Sequence, residues 1–357
     1  MGNRKIMAEK KDRIGSYLEK INHDMLFDEL SEDYMKEAGV FDLLEGVPVP
    51  ITVSDEGLSN VSIALGMARI IGADNNFRYA DNYMAYIKRT LGDTAVRVLI
   101  SEAAKSANEK NFEVACMYLR TALFIDPKSV DALYLYARAC QDAYQQEEDD
   151  ENYIGSFKAE SLELFELLTM LHPNFPMGYY FLGYGYLNLG LYTKAKLTWD
   201  QFMEMTEDTK KAIGFDTSLD EDALSDFRLD IAIRLDNLTL AIEIEDGINA
   251  VLTGNYIKGR EILEKHGAGK YSEWWPLWYY LAGAHSGLGD GQKAIDCFKR
   301  ALKLSPSNLE VMGELLEVYK ALGDTENIEK YEKKIEIIKK NLEDEKKQVQ
   351  EESQSQE

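Results

Sequence analysis

The sequence predicts an all-α fold built from stacked antiparallel helix pairs. Only 7 prolines occur in 357 residues, and helix-favouring residues such as Leu, Ala, Glu and Lys are abundant. Apolar residues recur at helical spacing in segments that glycine or proline separates. Because each segment has only one apolar face to bury, neighbouring helices have to stack on one another.

The clearest helix pair begins near Trp278. Its first helix carries an aromatic residue and two further apolar residues on one face, and its second carries Ala and Phe at the same helical period. Gly289 permits the turn between the helices, and small side chains let the two backbones approach closely. The positions that define the pair are Trp278, Leu281, Ala282, Gly289, Ala294, Phe298, Ala301 and Pro306.

This spacing resembles the tetratricopeptide repeat, a unit of roughly 34 residues with the pattern W-x-x-L-G-x-x-Y, then A-x-x-x-F, then A and P. Ala282 stands where that family has Gly, and His285 stands where it has Tyr. The resemblance implies a right-handed superhelical solenoid. A second match starts near Pro176 and comprises Leu182, Gly183, Tyr186, Gly190, Tyr192, Ala195 and Trp199.

Weaker units start near residues 61, 96, 130, 240 and 309, so helix pairs are predicted from about 61 to 342. An acidic stretch splits the unit at 130. The predicted domains are an N-terminal helical extension with a proline-containing loop at 1–60, repeats at 61–207 with an acidic insertion at 145–157, an irregular linker at 208–239, repeats with a capping helix at 240–342, and a disordered tail at 343–357.

The net charge of −23 disfavours nucleic acid as a partner, because phosphate binding needs a surface rich in Lys and Arg. Residues 145–156, 204–226 and 343–357 together carry −15 of this charge. All three segments are interpreted as insertion, linker or tail. Most of the acidity is therefore predicted to lie on solvated connecting chain and not on a binding face.

The cellular setting follows from what the chain lacks. No run of 18 apolar residues occurs, which predicts no insertion into a membrane. Cys116, Cys140 and Cys297 are widely spaced and form no CxxC pair, so neither a disulfide framework nor a zinc site is indicated. We expect a cytoplasmic protein.

No pattern of catalytic, cofactor-binding or metal-ligating residues stands out, and we expect the protein not to be an enzyme. The histidines are far apart and none forms HExxH. His285 is expected to have a packing role. Gly183 and Gly185 lie in a helix-periodic segment with no preceding strand, so they are interpreted as helix-packing residues and not as a phosphate loop. The acidic run at 147–151 lacks the glycine and distal Glu of a calcium loop.

The resemblance implies that ligands lie on a concave groove lined by the first helix of each pair. The Lys/Asn/Arg set with which family members grip a terminal carboxylate is absent here, which disfavours that mode. The alternative is that the tyrosines fill the seam between helices. The candidate groove residues are Arg97, Tyr134, Arg138, Tyr180, Phe181, Tyr184, Asn188, Tyr279 and Tyr280.

The predicted function is a scaffold or adaptor that binds a peptide or protein segment on this groove. Under this hypothesis, replacing Tyr180 and Tyr184 with Ala weakens binding and leaves stability nearly unchanged. The alternative is a regulator whose solenoid curvature changes when it binds a small peptide or metabolite. The partner's identity and the oligomeric state are left open by the sequence.

Overall fold

The computed structural model describes residues 12–23, 25–51, 59–147, 149–215 and 219–354. The described chain is mainly helical, which confirms the predicted all-α class. It divides into two compact units. The first unit comprises Met1–Leu189 and Leu197–Ile231, and the second comprises Gly190–Lys196 and Ala232–Glu357.

The N-terminal extension contains short helices and a small antiparallel ribbon that the sequence did not indicate. In the ribbon Leu26 pairs with Ile51, and Asp28 pairs with Val49. Pro50 lies inside the second strand, which a two-stranded ribbon tolerates because one edge of that strand needs no donor. The elements are α1 (Gly15–Ile21), β1 (Leu26–Asp28), α2 (Glu32–Glu37), α3 (Phe41–Leu44) and β2 (Val49–Ile51).

Helix pairs follow at the predicted places near residues 61, 96, 130 and 176. Local signals set their ends: the Ser129 side chain accepts a hydrogen bond from Ala132 at the start of one helix, and Pro176 opens another. The helices are α4 (Asn60–Ala73), α5 (Ala80–Leu91), α6 (Ala95–Asn108), α7 (Phe112–Ile125), α8 (Val130–Gln146), α9 (Glu151–Leu171), α10 (Pro176–Asn188) and α11 (Tyr192–Met205).

The first of these pairs does not stack in the same way as the later ones. Helices α8 and α10 each pack on the second helix of the preceding pair, whereas α4 packs along α7, the second helix of the following pair. Gly72 makes this possible, since a β-carbon there would overlap the backbone carbonyl of Met117. The Thr121 hydroxyl donates to the Ala68 carbonyl oxygen at 2.7 Å across the same contact.

The acidic insertion predicted at 145–157 is largely helical. It lengthens α8 to 17 residues and α9 to 21, against 14 each for α6 and α7. Phe157 is fully buried, and the ring of Tyr17 in α1 lies 5.2 Å from that of Tyr153. The insertion therefore differs from the solvated loop that its charge suggested: its aromatic residues form the surface on which the N-terminal segment packs.

The segment predicted as an irregular linker at 208–239 is also mostly helical. Leu224, Ile231 and Leu238 are buried, and their spacing of seven residues places them on one face of a helix. Because many acidic residues surround them, the composition of the segment suggested a linker although this apolar spacing is present. The helices are α12 (Thr209–Phe215) and α13 (Glu221–Leu252).

The second unit continues the pattern of helix pairs, as predicted near 240, 275 and 309. Its core is formed by residues such as Leu281, Phe298 and Leu315, and Gly323 ends one helix with a left-handed backbone (φ 71°). Backbone helix extends to Gln354 where a disordered tail was expected at 343–357, and residues 355–357 lie outside the described part. The helices are α14 (Tyr256–Lys265), α15 (Trp275–Gly287), α16 (Gly291–Leu304), α17 (Leu309–Leu322) and α18 (Thr325–Gln354).

Two further predictions are met in the described chain. Gly183 lies within α10, and the indole of Trp199 fills the space that a β-carbon at Gly183 would need, so this glycine serves helix packing. His285 is 3% exposed, in keeping with a packing role. None of the described helices is both long enough and apolar enough to cross a membrane.

We predict that Gly72→Ala lowers the free energy of unfolding by about 1–3 kcal/mol, because the new methyl group overlaps the Met117 backbone. Urea unfolding followed by circular dichroism measures the change. Gly313→Ala is the matched control, since nothing lies within 4 Å of a β-carbon at this position in α17. It should raise stability by about 0.5–1 kcal/mol. Equal losses at both positions would contradict the close approach of α4 to α7.

Candidate binding groove

The structure brings three of the nine predicted groove residues together. Tyr134 and Arg138 lie on α8, and Phe181 lies on α10, with the Tyr134 and Phe181 rings 6.0 Å apart. Arg97 on α6 is exposed and lines neither of the clefts described below. The others are engaged elsewhere or lie at the rim.

A first cleft, the alanine cleft, lies between α6 and α8 over α7. Its volume is about 180 Å³, and small side chains from all three helices leave the space open. Ala104 is exposed at its wall. The lining residues are Ala103, Ala104, Ala107, Ala115, Leu119, Tyr134, Leu135, Arg138, Ala139 and Asp142.

A second cleft, the aromatic cleft, lies between α8 and α10 over α9. It measures about 300 Å³, and the parallel rings of Phe165 and Phe181, 5.6 Å apart, form part of its wall. Its polar groups include the Gln141 side-chain oxygen, which is buried without a hydrogen-bond partner. The lining residues are Gln141, Tyr144, Gly155, Lys158, Ala159, Ser161, Leu162, Phe165, Phe181, Gly185 and Leu189.

Arg138 and Phe181 form a ridge between the two clefts. The Arg138 guanidinium carbon lies 4.1 Å from the centre of the Phe181 ring, a stacked cation–π contact. Its Nη2 is 3.8 Å from Oδ1 of Asp142, at the limit of an ion pair, and its Nε is buried with no hydrogen-bond partner. Burial raises the pKa of Asp142, and Arg138 opposes that shift only in part.

Asn188 lies at the rim of the aromatic cleft. Its side chain reaches the Tyr144 hydroxyl, and its carbonyl oxygen accepts a hydrogen bond from Lys158 Nζ at 3.4 Å. Burial raises the pKa of Tyr144. The predicted residue thus lies near the site and is exposed at its rim.

Tyr180 and Tyr184 occupy the seam between helices. Both hydroxyls donate to the Asp230 carboxylate on α13, the one from Tyr180 at 3.0 Å. The Tyr180 ring packs edge-on against Phe227 at 4.8 Å, and the Tyr184 ring does the same against Trp199 at 5.1 Å. This arrangement corresponds to the alternative of interhelical packing.

Tyr279 and Tyr280 belong to the second unit and contact each other with ring centres 5.2 Å apart. The Tyr279 hydroxyl donates to Glu310 Oε1 on α17 at 3.0 Å. Burial, with the Glu310 bond, raises the pKa of Tyr279. This pair ties α15 to α17 and packs against the core of the second unit.

The residues of the aromatic cleft that sequence reasoning missed come mainly from α9. Gly155 lies in the insertion predicted at 145–157, and Lys158 directly follows that insertion on α9; both line the aromatic cleft. The apolar period through Tyr153 and Phe157 was the signal that indicated a helix there. Leu162 completes the cleft from the next turn.

The groove combines apolar surface with few polar groups. The two clefts present apolar walls, one stacked guanidinium, one lysine and an unpaired amide oxygen. Among the residues that the structure describes, no group of three or more His, Cys, Asp or Glu side chains is placed to hold a metal ion.

We predict that the double substitution Tyr180→Ala with Tyr184→Ala lowers the free energy of unfolding by about 2–4 kcal/mol, because it removes packing and the bonds to Asp230. This replaces the expectation of unchanged stability. Asn188→Ala, at the exposed end of α10, is the control and should stay within about 0.5 kcal/mol of the parent. Thermal and urea unfolding measure the difference. If the double variant is as stable as the parent, both tyrosines are exposed groove residues and not packing residues.

Comparison with known proteins bears on the family. The tetratricopeptide repeat family matches residues 275–308, which span α15, α16 and the turn after them. No curated protein matches the chain.

Three solved structures are similar to this chain at low sequence identity. PilW, described as a widely conserved type IV pilus biogenesis factor, is 15% identical with a TM-score of 0.32 over 69% of this chain and 94% of its own. The thermophilic TPR protein TTC0263 of Thermus thermophilus is 12% identical with a TM-score of 0.30 over 73% and 98%. MamA from Desulfovibrio magneticus RS-1 (residues 41 to the end) is 16% identical with a TM-score of 0.29 over 57% and 96%.

TM-scores of this size mean that these molecules superpose poorly as wholes, so the assignment depends on this chain's own helices and on the matched repeat. In that repeat Ala282 and Ala294 are fully buried and Phe298 is 2% exposed, as the family spacing predicts. The chain therefore contains a tetratricopeptide repeat at residues 275–308, formed by α15 and α16, and further helix pairs around it.

Proposed function

We propose that this protein is a non-catalytic scaffold or adaptor that holds a segment of a partner protein across the alanine and aromatic clefts of its first unit. The observation that carries the proposal is the succession of two apolar clefts, of about 180 and 300 Å³, on neighbouring first helices α6, α8 and α10. Apolar recesses with a few polar groups at their edges suit the side chains of a bound segment.

The polar residues around the clefts support binding over catalysis. Arg138 is stacked on a ring, Lys158 bonds a backbone carbonyl, and Asp142 faces Arg138. None of these is paired as a nucleophile with a base or as an acid with a base. A scaffold needs only shape and these anchoring groups.

We further propose a cytoplasmic location. Cys116 Sγ and Cys140 Sγ lie 3.7 Å apart as free buried thiols, and Cys297 is also free and buried. A reducing compartment keeps neighbouring thiols in this state, which supports the proposal.

We predict that Ala104→Leu reduces capture of the partner about tenfold, because the larger side chain fills the alanine cleft from an exposed position without disturbing the core. The measurement is affinity capture from a native cell extract with quantitative mass spectrometry, comparing the variant with the parent. Thermal melting should be unchanged.

The matched control is Ala268→Leu, the same substitution at an exposed position between α14 and α15 in the second unit. It should leave the captured proteins unchanged. If Ala104→Leu captures every partner as well as the parent does, the groove of the first unit is not the binding site.

A further inference from the structure

Arg138 is held in place but has hydrogen-bonding capacity to spare. Its plane rests on Phe181, and its Nη2 is 3.8 Å from the Asp142 carboxylate, beyond hydrogen-bond distance. The side chain is still 33% exposed. A guanidinium presents its donors as a planar fork that matches a carboxylate. The ridge therefore offers a preformed place for an anionic group.

The charge along the clefts is opposite in sign to that of the chain. The residues that line the two clefts include Arg138 and Lys158 as cations and Asp142 as the acid, whereas the whole chain carries −23. Burial disfavours the charged form of Asp142. A partner with negative charge is thus favoured locally, although the rest of the protein repels it.

The ridge also lies between two recesses, and this arrangement decides which carboxylate fits. A segment that fills both clefts must continue on both sides of Arg138. A chain terminus would end at the ridge and fill one cleft only. The carboxylate that meets Arg138 then belongs to a side chain in the middle of the segment.

We propose that the groove binds an internal acidic and apolar segment of a partner protein. An Asp or Glu side chain of that segment bonds Arg138, a large apolar side chain such as Phe, Trp, Leu or Met enters the aromatic cleft, and a smaller one enters the alanine cleft. This inference depends on the proposed function and adds the chemistry of the partner to it. Arg138 is the residue that determines specificity for the acidic group.

The first experiment uses a phage-displayed library of random twelve-residue peptides selected on the full-length protein. We expect a consensus with an Asp or Glu between two apolar residues. A basic consensus, or apolar peptides without an acid, would overturn the inference. Failure to enrich any peptide would count against both the inference and the groove as a binding site.

The second experiment measures affinities of the selected peptide by fluorescence polarisation. Arg138→Gln should weaken binding about tenfold, and Asp142→Asn should strengthen it about threefold because a competitor for the guanidinium is removed. Replacing the peptide's Asp or Glu by Asn or Gln should weaken its binding to the parent protein by the same factor. The same replacement should not weaken binding to the Arg138→Gln variant any further. Amidating the peptide's C-terminus should have no effect.

The outcomes distinguish a failure of the proposed function from a failure of the acidic preference. If Ala104→Leu abolishes peptide binding while Arg138→Gln leaves it unchanged, the groove stands and the acidic preference is wrong. If Arg138→Gln weakens the acidic and amide peptides equally, Arg138 only supports the Phe181 wall, and the inference fails. If binding survives Ala104→Leu, the proposed function fails. Circular dichroism melts of each variant confirm that the fold is intact.

Discussion

The first unit depends on the buried contact of α8 with its neighbours α7 and α9. Tyr136 is 1% exposed and donates to Glu160 Oε1 at 3.2 Å, while the Ser161 hydroxyl donates to the Ala137 carbonyl at 2.8 Å. Burial, with the charge of Glu160 nearby, raises the pKa of Tyr136 and keeps its hydroxyl protonated as a donor. Leaving a buried group of this kind without its hydrogen-bond partner costs about 1–3 kcal/mol, which favours this orientation of α8.

That orientation determines the groove. On one face of α8, Tyr136, Ala137 and Cys140 are buried; on the other, Tyr134 and Arg138 line the alanine cleft. A rotation of α8 large enough to remove Arg138 from Phe181 would expose the core residues at the same time. The position of the ridge is therefore a consequence of core packing and not of the groove residues alone.

The N-terminal segment strengthens the same contact from outside the repeats. Arg120 on α7 is 6% exposed and pairs with Asp12, next to the cluster formed by Tyr136 and Glu160. Tyr17 in α1 packs against Phe157 at 6.1 Å, on the helical part of the insertion. The segment before the first helix pair thus packs on the helical part of the insertion, which also carries Gly155 of the aromatic cleft.

The sequence predicted the helix pairs well because their period and turn signals are local: the pair at 275 has its small residues and Gly289 where the family pattern requires them. It did not predict that α4 lies on α7, since that choice depends on Gly72 and on which neighbour offers a complementary surface. The sequence did not predict the starts of the helices at 151 and 221, because acidic residues dominate the composition there. The buried face of each helix is nevertheless mainly apolar.

For the candidate site, the sequence predicted which residues lie on the first helix of each pair. It did not predict which neighbouring helix each of those side chains contacts. Phe181 and Tyr180 are adjacent in sequence and point about 100° apart around α10, so one reaches the ridge and the other reaches Asp230 on α13. No local signal distinguishes them. The same geometry bears on the proposed complex: because the guanidinium already rests on Phe181 in the free protein, the proposed binding avoids part of the about 0.5–1.5 kcal/mol that ordering a long side chain costs.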